Sequence, residues 1–388
     1  NSGNSGVNDT TQRSSPVQVG TDQAWVYIAS DDNGDGCSVG IKNDSTLWTW
    51  GFNSDGSLGQ NTNTHKSSPV QIPGTWSNYA ETGSQKVIAT KTDGTLWIWG
   101  ENYYGNLGQN QGGEDNENRS SPTQIPGTTW STSEGGVSFG QNASYGIKTD
   151  GSLWAWGMNE VGALGQNNKT HQSSPVQVGT DTTWSRITGN GQWAGGIKTD
   201  GTFWTWGINS DGSLGQNNNT NYSSPRQVGT ETTWHKFIGN TATKTDGTLW
   251  SWGGNGDGSL GINQGHAPGN VGRSSPTQIP GTTWAKAAGQ YGFATRTDGT
   301  LWSWGYNYYG NLGQNNTASY SSPTQIGSGT DWSLNFSATY KSTLAVKTDG
   351  TLWVWGWNEY GRLGNNESNN KDYSSPVQVP GTNWSTSV

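Results

Sequence analysis

The stretch from Lys347 to Gly364, KTDGTLWVWGWNEYGRLG, recurs seven times, with copies beginning at Lys42, Lys91, Lys148, Lys198, Lys244, Arg296 and Lys347. Spacings of 46 to 57 residues are those of a repeat architecture, in which one supersecondary unit is laid against the next. Within a copy, Asp349-Gly350 reads as a two-residue hairpin turn, because glycine takes the positive φ that a type I′ turn demands. Leu352-Trp353-Val354-Trp355 then alternates with a period of two, so both tryptophans fall on one face of a strand and the aliphatics on the other. Gly356, Asn358, Gly361 and Gly364 end that strand in a glycine-rich turn.

Two more elements repeat in step. Ser14-Ser15-Pro16-Val17-Gln18-Val19 returns, with small changes, at 67, 120, 173, 223, 274, 321 and 374. Each copy reads as a short strand entered through a proline, which suits an edge or first-residue position. A second tryptophan follows each: Trp25, Trp76, Trp130, Trp184, Trp234, Trp284, Trp332 and Trp384. With a strand after that tryptophan and another before the hairpin turn, one unit holds four short antiparallel strands. That is a propeller blade, and the chain is expected to be an all-β, seven-bladed β-propeller of four-stranded antiparallel blades. Residues 14-388 form this single domain, and the polar stretch 1-13 reads as a flexible lead-in.

Only 28% of the residues are hydrophobic, a composition that by itself points to disorder. Tryptophan points the other way: of 24, all but two sit at the repeated positions, and each ring can bury roughly 200 Å². The net charge of -8, with no basic run, argues against nucleic acid as a partner, since such affinity rests on cations neutralising phosphates. Cys37 is the single cysteine, which excludes an internal disulfide and a cysteine-based metal site. No apolar stretch approaches a membrane span, so no membrane insertion is expected. The first residue is Asn1 and not Met, which leaves room for an upstream signal, anchor or further domain.

The Asp-Gly turn, the Leu-Trp-x-Trp-Gly strand, Asn-x-x-Gly-x-Leu-Gly and the proline before the fourth strand together resemble the repeat of the regulator of chromosome condensation family, close to its bacterial and phage-type members. The resemblance runs from Ser14 to Trp384 and implies seven blades. It carries less about function, because propellers host many activities. The histidine that the family pattern places ahead of the turn Asp is replaced here by Cys37, Lys86, Ala143, Trp193, Gly239, Tyr291 and Ser342, so no exchange-factor residue transfers.

The candidate chemical motifs each have a simpler account. Gly256-Asp257-Gly258-Ser259-Leu260-Gly261 fits a phosphate-loop pattern, but it lies in the repeated turn with no helix behind it. Asp31, Asn33, Asp35 and Gly36 match the first half of a calcium loop, yet Lys42 stands where the bidentate Glu belongs. His65, His171, His235 and His266 lack ligand spacing. Asp44, Asp93, Asp150, Asp200, Asp246, Asp298 and Asp349 recur once per unit, as turn residues paired with the Lys or Arg two positions earlier. A light sensor would need tight tryptophan clusters beside arginines, and arginine is scarce. No catalytic residue, cofactor or metal is expected, and the chain reads as a non-enzyme.

The loops between Leu-Gly and Ser-Ser-Pro vary most. Their Asn, Thr, Gly and Ser, with Tyr103, Tyr104, Tyr222, Tyr308, Tyr309, Tyr320, Trp357, Tyr360 and Tyr373, have the composition of a recognition surface. The expected function is a non-catalytic binding or structural module on an extracellular, cell or virion surface, adhesin-like or a phage appendage. Its partner would be a protein or a surface glycan, with self-association or attachment to a larger assembly. The alternative is a regulatory protein ligand, such as a nucleotide-exchange factor or enzyme inhibitor. Seven hairpins but eight Ser-Ser-Pro segments leave one surplus, and the C-terminal strand is expected to stay in its own blade. At about 150 mM salt, where the Debye length is about 8 Å, duplex DNA should show no submicromolar binding; submicromolar affinity with a steep salt slope would overturn the charge argument.

Overall fold

A computed structural model describes residues 4–386 apart from 22–23, 31–35, 84, 112–116, 265–271, 289–291 and 368–369. The described strands form seven four-stranded antiparallel sheets, each with its strands in sequence order. Blade seven shows the plan: Trp332–Ala338, Ser342–Lys347, Leu352–Gly356 and Tyr373–Gln378. The C-terminal Ser-Ser-Pro strand thus stays in its own blade, as the short local connection favours. Blade three departs most: its first strand shrinks to Val137–Phe139, and Trp130 joins only through an isolated bridge to Lys148. Two compact units are distinguished, one built on Val17–Ile208 and the other on Glu231–Val388, and both use the same blade plan.

The hairpin turn differs from expectation. Lys347 donates its N–H to Thr351 O at 2.9 Å, while Gly350 N–H donates to Lys347 O at 2.9 Å. The loop therefore holds three residues, Thr348, Asp349 and Gly350, with positive φ at Gly350 alone (79°). A type I′ turn needs positive φ at both central residues; this is the three-residue hairpin with a left-handed glycine at its end. The carboxylate Oδ1 of Asp349 accepts from Thr351 N at 2.9 Å and Thr351 Oγ1 at 2.7 Å, and that hydroxyl accepts from Trp353 Nε1 at 3.0 Å. In the first blade Ser45 takes the left-handed position itself (φ 64°) with the same bond to Lys42 O. The turn type survives the missing glycine, at the cost of a non-glycine residue in that region.

From the second blade on, each blade is stitched to the one before it at two points. Trp355 Nε1 donates to Asn311 O at 2.7 Å, as Trp99 does to Ser57 O at 2.8 Å and Trp304 to Ser259 O at 3.1 Å. The buried Trp332 meets both indoles of the strand edge-on, with centroids 6.5 Å from Trp353 and 6.1 Å from Trp355, a favoured aromatic geometry. Second, a left-handed Asn donates its N–H to the first Ser of the following blade's Ser-Ser-Pro strand: Asn61 to Ser120 O at 2.6 Å, Asn315 to Ser374 O at 2.7 Å.

The surplus segment follows from these two stitches. Ser14 O accepts from Asn366 N at 2.6 Å, so the first Ser-Ser-Pro copy takes beside the last turn the place that a following blade's outer strand takes elsewhere. Upstream, Asn4 O accepts from Trp50 Nε1 at 3.0 Å, Asn8 N donates to Ser67 O at 2.6 Å, and Gly6 and Asn8 have φ of 69° and 64°. Residues 4–8 thus do for blade one what Gly-x-Leu-Gly-Gln-Asn does for the others. Val at position 350 would be strained at φ 79°, and its Cβ would stand 3.2 Å from Asn383 N. Gly350→Val should therefore lose roughly 1 to 3 kcal/mol, with Asp349→Asn losing less because an amide oxygen still caps the turn. Denaturant melts check this, and equal midpoints would refute the turn assignment.

Candidate interaction surface on the loops of blades six and seven

The loops that follow the W-x-W strands are organised from inside by one buried asparagine each. Asn307 accepts from Leu312 N at 2.9 Å and donates to Asn316 O at 3.0 Å and Ala318 O at 2.8 Å. Asn358 repeats the inward bond with Leu363 N at 3.1 Å. Loop asparagines such as Asn316, whose Oδ1 accepts from Ala318 N at 2.8 Å, are also committed internally. The polar loop composition thus builds much of the loops, and among the groups that still face outward are large aromatics.

On blades six and seven these aromatics converge. Antiparallel pairing sets Ser342 opposite Gly356, which brings the turn bearing Tyr340 and Lys341 beside Trp357. Tyr306 stacks on Tyr340 with centroids 4.6 Å apart and planes 13° from parallel, and Tyr308 stands 6.3 Å from Tyr306 at 22°. Tyr309 lies 5.1 Å from Tyr308 and 5.9 Å from Trp357. Over the Trp357 ring lie Lys341 Nζ at 3.7 Å and Arg362 Cζ at 3.8 Å, cation–π contacts that fix the indole. Tyr308 is 69% exposed and Tyr340 49%.

Of the residues expected from sequence, Tyr308, Tyr309 and Trp357 share this cluster. Tyr306, Tyr340, Lys341 and Arg362 were missed, although aromatics at the residue after the strand glycine were a signal in plain view. Tyr360, 55% exposed, lies on the next loop turn with φ 63°. Tyr103 and Tyr104 pair with each other on blade two, and Tyr104, at φ 58°, stands 5.2 Å from His171. A bulky residue at positive φ is strained, and here it sets a half-buried tyrosine against His171. Tyr222, Tyr320 and Tyr373 instead begin outer strands and are half-buried. Arg226 covers Tyr222, the Tyr320 hydroxyl accepts from Asn316 Nδ2 at 2.9 Å, and the Tyr373 hydroxyl donates to Glu367.

The remaining candidates are structural. His65 and His171 accept on Nδ1 from Asn53 N at 3.0 Å and Asn159 N at 2.9 Å, a place taken by Asp372 Oδ1 in blade seven. Gly256–Gly258 is a single helical turn, too short for a phosphate cradle. Asp31, Asn33, Asp35, Tyr291 and His266 lie outside the described residues. Among the described residues no three His, Cys, Asp or Glu side chains are placed to hold a metal, and no helix is long and apolar enough to cross a membrane. The turn aspartates are held below the usual carboxylate range chiefly by hydrogen bonds to the following Thr or Ser, ahead of the neighbouring cation. That cation turns to the indoles: Lys347 Nζ lies 5.1 Å from the Trp332 centroid and 5.0 Å from that of Trp353.

One carboxyl stands apart. Glu81 Oε1 accepts from Tyr79 OH at 2.5 Å and Oε2 from Phe139 N at 3.1 Å, with Tyr27 stacked at a tilt 5.6 Å from Tyr79. Desolvation pushes Glu81 up to about 7, against hydrogen bonds from Tyr79, Phe139 and Ser138 that lower it. Burial likewise raises both tyrosines.

Comparison with known proteins places these features in a family. The regulator of chromosome condensation (RCC1) repeat matches residues 44–88, 93–142, 150–189, 200–238, 298–346 and 349–388, and a second form of it matches 335–362. Ultraviolet-B receptor UVR8 of Arabidopsis thaliana is 34% identical over 82 residues, which cover 21% of this chain and 18% of the receptor. Among solved structures, human WBSCR16 is similar with a TM-score of 0.60 at 18% identity, covering 94% of this chain and 84% of that one. Prp20p of Saccharomyces cerevisiae, described by its binding to Gsp1p and histones, gives 0.54 at 17% identity, covering 89% and 75%. At these identities the two structures support the fold.

Because the folded Glu81 binds its proton more tightly than an unfolded chain does, its contribution to stability is fully present below the unfolded pKa and is lost as pH rises through about 7. A shift of this size corresponds to on the order of 3 kcal/mol. Glu81→Gln should match the parent chain at pH 4 and exceed it at pH 8. Urea melts at the two pH values measure it, and an equal difference at both would remove Glu81 as the source.

Proposed function

We propose, from the premise that this chain belongs to the regulator of chromosome condensation repeat family, that it is a binding propeller without catalytic machinery. Its partner is a protein that docks on the loops of blades six and seven. The observation that carries this is the cluster of Tyr306, Tyr308, Tyr309, Tyr340 and Trp357 with Lys341 and Arg362. Tyrosine, tryptophan and arginine are the side chains that dominate interface energetics, because each brings large area with few rotamers to fix. Nothing in the cluster supplies a nucleophile beside a base. Its rings are held by one another and by two cations, so little ordering remains to be done on binding.

The low-lysine, Asn/Ser/Thr/Gly/Trp-rich composition favours display on an extracellular, cell or virion surface, with attachment to a larger assembly. The second reading is a regulatory ligand, and Prp20p, with its reported binding to Gsp1p and histones, shows what kinds of protein a propeller of this architecture engages. Both readings use protein docking and differ in the partner. Tyr308→Ala removes an exposed ring without disturbing the core and should weaken partner binding by roughly 2 kcal/mol or more, about thirtyfold. The measurement is cross-linking with mass spectrometry in source cells, followed by titration of the captured partner. A partner whose affinity is unchanged by both Tyr308→Ala and Tyr340→Ala would overturn the assignment.

A further inference from the structure

The turn that follows the last W-x-W strand is built like the turns that join one blade to the next, but one member of the joint is missing. Elsewhere a Gly-x-Leu-Gly turn meets the following blade through three contacts. Between blades six and seven, a Cβ on Gly310 would stand 2.5 Å from Ser374 Cα, Asn311 O accepts from Trp355 Nε1, and a Cβ on Gly313 would stand 2.9 Å from that same nitrogen. In the turn after blade seven the first contact is made: a Cβ on Gly361 would stand 2.6 Å from Ser14 Cβ, and Asn366 N donates to Ser14 O. The other two are not. Among the described residues no indole N–H reaches Arg362 O, and the atoms nearest the Cβ position of Gly364 are those of Pro16, at 3.5 Å. The first blade's indole, Trp50 Nε1, ends on Asn4 O.

Burial records the same gap. Gly59, Gly108, Gly165, Gly215, Gly261 and Gly313, which hold the matching position in the other turns, are all buried, whereas Gly364 is partly exposed. Trp384 starts this joint as Trp332 starts blade seven, donating its N–H to Gly350 O at 2.9 Å as Trp332 does to Gly299 O at 3.0 Å. Trp332 then packs with Leu312, Ile326 and the indole of Trp355 and is 6% exposed. Trp384 packs with the matching Leu363 and Val379, meets no second indole among the described residues, and stays half-buried. Ser14, Ser15 and Pro16, whose counterparts in every blade pair with a W-x-W strand, belong to no sheet. A carbonyl acceptor, a glycine floor that admits a flat ring, a tryptophan edge and a free backbone edge thus stand together with the indole left out.

We propose that this socket docks a β-hairpin of a partner protein that carries a W-x-W strand. The partner's second indole lies over Gly364 with its N–H on Arg362 O and its ring edge-on to Trp384, and its backbone runs beside Ser14–Pro16. The occupant is read from the joints already made, each of which holds this strand at this place. Strand addition of this kind takes affinity from main-chain bonds and specificity from pockets for alternate side chains. A second copy is the poorer donor, because each of its own W-x-W strands lies inside a four-stranded sheet and would have to leave it. The aromatic loop cluster uses the Arg362 side chain, whereas the socket uses only the carbonyl, so Tyr308→Ala leaves the socket intact and the two readings fail independently.

The test is fluorescence anisotropy on the full chain with a labelled peptide copying Ser342–Gly356, this chain's own hairpin of that type. The peptide is expected to bind with a Kd of about 100 μM or below. A peptide with Trp355→Phe keeps a ring but loses the N–H, and should bind roughly fivefold more weakly or worse. In the chain, Gly364→Asn fills the floor of the socket with a residue that tolerates the left-handed region, and should weaken the parent peptide roughly tenfold or more. Trp384→Ala should act in the same direction, and Tyr308→Ala should change nothing. Melting curves that match the parent chain certify the variants. No binding up to about 1 mM, equal binding of the two peptides, or binding that both Gly364→Asn and Trp384→Ala leave untouched would each overturn the proposal. Light scattering decides the donor: self-association of the parent chain that Gly364→Asn abolishes would overturn a separate partner in favour of a second copy.

Discussion

The indole N–H of the second tryptophan in each W-x-W strand is the bond on which the architecture depends. From the second blade on it leaves its own blade and ends on a turn carbonyl of the blade before, as Trp355 does on Asn311 and Trp156 on Asn106 at 2.9 Å, while in the first blade it ends on Asn4 O. Such a bond contributes only about 1 kcal/mol net, but an unmet buried partner costs about 1 to 3. The indole also needs its ring buried, which the edge-on tryptophan at the start of each blade provides. The third member is the cation over both rings, Lys148 Nζ standing 3.9 Å from Trp154 and 5.1 Å from Trp130. A chain with few aliphatic residues thereby gains a core in which tryptophan is at once filler, donor and cation acceptor.

With the joints carried by repeated residues, the loops are relieved of structural duty at their tips. The buried Asn fixes the base of each loop, and what extends beyond it differs from copy to copy. That division explains why aromatic residues gather on blades six and seven without disturbing the blade beneath.

The blade, its four strands and their order are legible in the sequence because each rests on local spacing: the period-two Trp pair, the proline of the outer strand, the Asp-Gly turn. The turn type is not, since Thr348 looks like strand and only the paired bonds of Lys347 show it to be loop. Residues 4–8 look like lead-in because Ser5 and Val7 stand where most of the other turns carry Leu and Gln, although Gly6 and Asn8 keep the backbone angles. The aromatic cluster is half visible. Tyr308, Tyr309 and Trp357 follow a strand glycine directly or nearly so, whereas Tyr340 comes from another turn and reaches Tyr306 only through strand pairing.

From blade two to blade seven, the stitches point the same way along the chain. A blade's indole reaches back to an earlier turn, and its Ser-Ser-Pro strand receives the N–H of that same turn. During synthesis on a ribosome, each new blade thus finds its partner already made, residues 4–8 offer the first blade such a partner at the outset, and the Ser14 segment alone waits, for Asn366 of the last turn. Domains that emerge in sequence fold as units in that order, and repeats that contact only their neighbours can grow from one end. The direction of one hydrogen bond, copied blade after blade, makes translation itself the assembly line, with every exposed tryptophan pair covered as soon as its own blade is complete.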